Sequence, residues 1–117
     1  MDNVIRPMSI YIADIMFDDS IQSKRRPALV VDIYEKYVVV FKITSKYKNK
    51  SDNIKQIYYP IKYWKKAGLV KKSYVDVHKT YKVTRGVVFN HPPMGKLELV
   101  DVDDLYTFLK NIKKRNK

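Results

Sequence analysis

Lys24-Arg25-Arg26-Pro27-Ala28-Leu29-Val30-Val31 changes character at its middle. Three cations end at Pro27, and an uncharged, β-branched run begins. Proline donates no ladder hydrogen bond and fixes its own φ, so Pro27 suits the first residue of a strand. Leu29, Val30 and Val31 then read as a buried strand. That places Arg26 at a strand mouth, braced by the sheet behind it and open to solvent in front. A guanidinium on such a base suits anion binding. The plainer alternative is a solvated turn in which Arg25 and Arg26 only precede a strand.

On either side of this stretch the pattern stays strand-rich. Residues 9–17 alternate, with Ile10, Ile12 and Asp14 on one side and Tyr11, Ala13 and Ile15 on the other. Asp14 interrupts near a sheet margin. Residues 18–24 read as a loop, 27–33 as the second strand and 37–44 as the third, with Glu35-Lys36 as the turn between them. Residues 45–53 are polar, basic and without periodicity, hence a mobile loop. A strand follows at 54–59. Pro60 suits the first position of a short helix or helical turn that Gly68 would stop, with Trp64 packed as core. Further strands fall at 73–77 and 81–83, separated by an irregularity. Residues 85–95 are mostly loop, and 96–100 are briefly extended. Asp101 or Asp103 caps a C-terminal helix on which Leu105, Phe108, Leu109 and Ile112 recur at helical spacing. The fold class is α+β: one strand-rich domain over residues 1–117, a small twisted barrel with a short helix and a terminal helix.

The chain has 117 residues, enough for one domain with one core, and is 45% hydrophobic. Its longest apolar run, residues 37–41, stops at Lys42, far short of a bilayer span. Residues 1–8 lack the apolar stretch of a signal peptide and read as a loose arm. A cytoplasmic protein is the simplest expectation, with no membrane partner. There are no cysteines, so neither disulfides nor thiolate metal sites are available. Twenty-four Lys and Arg against twelve Asp and Glu give a net charge of +12. Such an excess predicts attraction to a polyanion, with strong salt dependence. Ten tyrosines among those cations suit stacking on unpaired bases.

Several chemistries fit poorly. His78 and His91 are the only histidines, and neither has a second ligand at metal-binding spacing. Three glycines in all leave no phosphate-cradling loop, and nothing marks a nucleophile elbow. Glu98, Asp101, Asp103 and Asp104 cluster, but as a helix start. Metal-free and cofactor-free chemistry on a substrate with its own nucleophile remains. RNA is one, since its 2′-hydroxyl can attack the adjacent phosphodiester. The protein then aligns it, moves protons and stabilises the phosphorane. Arg26, at one strand mouth, and Thr44, at the end of another strand, would meet if those strands are neighbours.

Three motifs carry a family resemblance. Tyr11-Ile12-Ala13-Asp14-Ile15, Arg25-Arg26-Pro27-Ala28-Leu29-Val30-Val31 and Ile43-Thr44-Ser45 stand in the order and spacing of the MazF/PemK-type toxins of bacterial toxin–antitoxin systems. The chain resembles them most over residues 11–46. It departs from them in lacking the usual Gly-Asp start. It departs again near residues 73–83, where many members carry an acidic residue or Glu-Gln followed by Arg. The resemblance implies an SH3-like barrel, a homodimer, and a sequence-specific mRNA interferase. That enzyme would cleave single-stranded RNA without metal, leaving 2′,3′-cyclic phosphate and 5′-hydroxyl ends. It also implies a cognate antitoxin with an acidic tail. By residue, the catalytic arginine falls on Arg26 and the catalytic threonine on Thr44. His78 is a candidate proton-transfer group, because imidazole titrates near neutrality, or else a structural histidine. Lys24, Arg25, Ser45, Lys46, Tyr47, Lys48 and Lys50 are the expected RNA contacts. Two other readings share the fold: a non-catalytic RNA- or DNA-binding module, and a gyrase-directed toxin.

Overall fold

The computed structural model describes residues 7–16, 23–48, 50–86 and 92–115. The expected arm before Pro7, the loop at 18–22 and His91 lie outside them. Six strands form one antiparallel sheet: β1 (Ser9–Met16), β2 (Ser23–Ile33), β3 (Tyr37–Thr44), β4 (Tyr58–Pro60), β5 (Tyr74–Thr84) and β6 (Gly95–Lys96). Their spatial order is β4-β5-β3-β2-β1-β6, an open ladder, so the strand-rich α+β class holds while the sheet is not closed. Among the described residues, α1 (Asp52–Lys55) and α2 (Leu99–Arg115) are the helices whose bounds are defined. Neither is long and apolar enough to cross a membrane.

Alternation along the strands divides the apolar residues between the two faces of the sheet. Tyr11, Ala28, Val30, Val38 and Val40 form one buried cluster. Ile10, Leu29, Phe41, Ile43 and Val75 belong to a second cluster. Leu105 from α2 joins the latter, with Trp64, Phe108 and Leu109 against it. Leu105 is completely buried, so the helical spacing read from the sequence marks the face that docks.

The hairpin of β2 and β3 turns at Glu35-Lys36, closed by Tyr34 N–H donating to Tyr37 O at 2.9 Å. Elsewhere the elements shift. β2 begins at Ser23, so Pro27 lies inside the strand rather than at its start. The segment expected as a strand at 54–59 opens instead with α1, whose Ser51 cap accepts from Ile54 N. Pro60 ends β4 rather than starting a helix. Residues 62–68 form successive turns, with Ala67 N–H donating to Tyr63 O at 3.1 Å. The extended stretch expected at 96–100 shrinks to β6, because α2 already begins at Leu99. Asp101 lies in the first turn of α2 and is completely buried. It does not cap its own helix. Its Oδ1 accepts from Lys62 N (2.8 Å) and Tyr59 Oη (2.6 Å), and its Oδ2 from Tyr63 N (2.9 Å).

β5 is a single strand carrying a large bulge. Val40 pairs with Tyr81 and Lys42 with Asp76, so four residues of β5 stand opposite Phe41 alone. The turns stop at Gly68, whose φ of 95° is the left-handed conformation glycine adopts without penalty. Gly68 and Gly95 also let two backbones approach closely: a Cβ on Gly95 would run into the Ala67 carbonyl. Gly95→Ala is therefore expected to cost about 1–3 kcal/mol in urea unfolding, the range for overpacking. Gly86→Ala, with open space where its Cβ would go, should be close to neutral.

Candidate active site

Pro27 sets the local geometry. The β2–β3 ladder runs through Ala28↔Lys42 and stops there. β2 continues beyond as a ribbon with β1 alone, pairing Pro27 with Ile12 and Arg26 with Ala13. A residue without an N–H suits the point at which one ladder ends. Carried two residues past that end, the register sets Arg26 level with Thr44, across the fork between the strands. Thr44 in turn pairs with Tyr74, and Tyr74 with Pro60. Arg26, Lys42, Thr44, Tyr74 and Asp76 thus share one sheet face by alternation.

Arg26 is half-buried, with its Nε shut off from solvent, whereas its neighbour Arg25 is exposed. Thr44 is buried, and its Oγ1 accepts from Lys46 N–H at 3.1 Å. That bond fixes the hydroxyl oxygen and leaves its proton able to donate. Asp76 is half-buried beside them. It pairs with Lys42 Nζ at 3.5 Å and accepts from His78 N at 3.0 Å. Burial, then the Asp76 and Tyr81 side chains, hold Tyr58 above the ordinary tyrosine range, so it stays a neutral phenol. His78 is exposed and stands four residues past Tyr74 on β5. The register thus sets Arg26 level with Thr44 on one sheet face, while His78 lies in the bulge of β5 with its N–H donating to Asp76.

Next to Thr44 opens a groove of about 550 Å³, lined by Ser45, Lys46, Tyr47, Lys48, Lys50, Lys72 and Tyr74. Tyr47 stacks on Tyr74 with centroids 4.2 Å apart and planes 8° from parallel. The Lys55 ammonium lies 5.0 Å from the Tyr47 ring centre. Of the expected RNA contacts, Ser45, Lys46, Tyr47, Lys48 and Lys50 gather here. Arg25 lies on the opposite face of β2 from Arg26. Lys24 is in β2 by its backbone, and its side chain lies outside the described residues. Among the described residues no three His, Cys, Asp or Glu side chains come together as a metal site.

The family model for PemK-like, MazF-like toxins of type II toxin–antitoxin systems matches residues 6–112. The chain belongs to that family. A solved structure, the Mycobacterium tuberculosis toxin MazF-mt6, superposes with a TM-score of 0.65. It is 20% identical, over 88% of this chain and 93% of that one, a likeness of fold. No curated protein compared with the chain matches it. The PemK/MazF-like sequence had hidden three residues of this region: Asp76, Lys72 and Tyr74. Asp76 supplies an acidic residue in the strand where the family pattern had looked broken. Its signal was a lone carboxylate in an otherwise apolar run, Tyr74-Val75-Asp76-Val77. Lys72 gave no local signal, because only the pairing of β5 with β3 carries it to the groove.

Proposed function

We propose that this toxin is a metal-independent, sequence-specific endoribonuclease that cleaves single-stranded mRNA. What supports the reading is the register that sets Arg26 level with Thr44 on one sheet face, beside a groove of lysines. In the proposed reaction the 2′-oxygen attacks the adjacent phosphorus. The bond to the 5′-oxygen breaks and that oxygen takes a proton from water, leaving a 2′,3′-cyclic phosphate and a 5′-hydroxyl. Arg26 holds the non-bridging oxygens, where charge accumulates, and the Thr44 hydroxyl donates to the same group. Arginine stays protonated in proteins, so Arg26 acts as a clamp rather than a base. In this reading the Asp76 carboxylate, on the same face as Thr44, takes the 2′-proton, and His78, whose N–H donates to Asp76 at 3.0 Å, is the alternative. The functional unit is a homodimer in an SH3-like barrel fold, working in the cytoplasm and held in check by an antitoxin whose acidic tail covers the basic groove.

Incubation with a long single-stranded RNA in EDTA, followed by end-group analysis, tests this. Defined fragments ending in cyclic phosphate and 5′-hydroxyl are expected. Intact RNA, or cleavage that returns only with a divalent cation, would leave a binding module or a protein-directed toxin as the better reading.

A further inference from the structure

We infer that the groove beside Thr44 grips the RNA backbone next to the cleaved bond, anchored by Lys72, and takes no part in reading bases. This rests on the proposed cleavage of RNA and adds how the substrate is held. Ser45 follows Thr44 in the chain and Tyr74 pairs with it, so the groove begins one residue from the hydroxyl that would meet the scissile phosphate. Four of its seven lining residues are lysines, and none is acidic. Three of them, Lys46, Lys48 and Lys50, ride on one loop. Lys72 comes from the opposite wall, in a turn tied down on both sides. There the buried Ser73 hydroxyl donates to Lys71 O at 2.8 Å, and Ser73 O accepts from Ile61 N–H at 3.1 Å. Its ammonium stands 6.0 Å from the Tyr74 ring centre.

The aromatic rings in the groove are already engaged. Tyr47 and Tyr74 lie face to face, with Tyr58 tilted against both at 6.3 and 6.5 Å. A base would have to split that pair to stack inside it. Besides the Ser45 hydroxyl and the engaged tyrosines, the groove offers four ammonium groups, which meet phosphate as point charges. The cleavage motif must therefore be read elsewhere on the toxin.

The test measures binding of two uncleavable single strands, oligothymidine and a mixed-sequence 2′-O-methyl RNA, over a range of salt concentrations. Lys72→Ala should weaken both several-fold and alike. The slope of log affinity against log salt should shrink by about 0.7, the value for one phosphate contact on a single strand. Lys72→Arg should restore the slope, and cleavage positions on a long RNA should stay the same. An unchanged slope, a loss confined to one sequence, or Lys72-dependent binding of polyglutamate without binding of either strand would overturn the inference. Wild-type protein that shows the salt-dependent binding yet cleaves nothing would sink the catalytic reading and leave the groove standing.

Discussion

Replacing Arg26 with alanine is expected to slow RNA cleavage by about 100- to 1,000-fold, the usual loss when one oriented donor to a transition-state oxyanion is removed. The side chain is half-buried at the fork where β2 leaves β3, so its guanidinium is held before substrate arrives. Arg26→Lys keeps the charge but not the planar two-pronged donor, and should be impaired nearly as badly. Arg25→Ala should cost far less, since that exposed side chain leaves the strand on the other face. Thr44→Val preserves shape and deletes the hydroxyl, so cleavage should fall while the melting temperature moves little. Single-turnover rates with a melting curve for each variant separate chemistry from folding. An Arg26→Ala protein that melts normally and cleaves within about threefold of the parent, far below the loss expected for a clamp, would show that the reaction runs elsewhere.

The second large effect concerns stability. Asp101→Ala removes the acceptor for Tyr59 Oη and for the N–H groups of Lys62 and Tyr63. Stranding one buried donor, at about 1–3 kcal/mol, and two part-buried ones predicts a loss on the order of 3 kcal/mol. That is a large part of the 5–15 kcal/mol typical of a domain, and urea unfolding would register it. The same junction sets an alkaline limit. Burial, then the hydrogen bond to Asp101, pushes the Tyr59 hydroxyl well above its ordinary value of 10.0. A raised value means the folded protein keeps a proton that the unfolded chain releases. The stabilisation is therefore complete below about pH 10 and fades as pH rises beyond it. Tyr59→Phe should lose stability at neutral pH and show a flatter decline above pH 10. An Asp101→Ala protein as stable as the parent would mean that α2 is held by its apolar face alone.

The hairpin from Ala28 to Thr44 was legible because its signals are local: β-branched alternation, a charged turn, and a polar segment after Thr44. Local marks singled out Arg26 and Thr44, although Arg26 lies inside β2 rather than at its mouth. Pro27 misled about where β2 starts, because a strand with a partner on one side only tolerates proline, and nothing nearby announces that β1 is the partner. Residues 60–68 looked helical from Pro60 and Gly68. Residues 62–68 form successive turns, with Ala67 N–H bonded to Tyr63 O, and the N–H groups of Tyr63 and Lys62 are met by Asp101, 38 and 39 positions away. Asp101 itself read as an ordinary cap for the same reason: its partners are remote. Lys72 and Asp76 escaped notice because the pairing of β3 with β5 alone assigns them a neighbourhood.

The bulge of β5 gives that strand slack. Residues 74–76 are in register with the end of β3 that carries Thr44, and residues 81–84 with the end that carries Val38 and Val40. Within an unbroken ladder, losing one residue would turn every later side chain to the wrong face. Here residues 77–80 can absorb such a change, so the two halves of the strand are free to be edited separately. The end beside Thr44 can gain, lose or exchange a residue without re-indexing the hydrophobic end, so the surface there can be reshaped while the chain folds around the same centre.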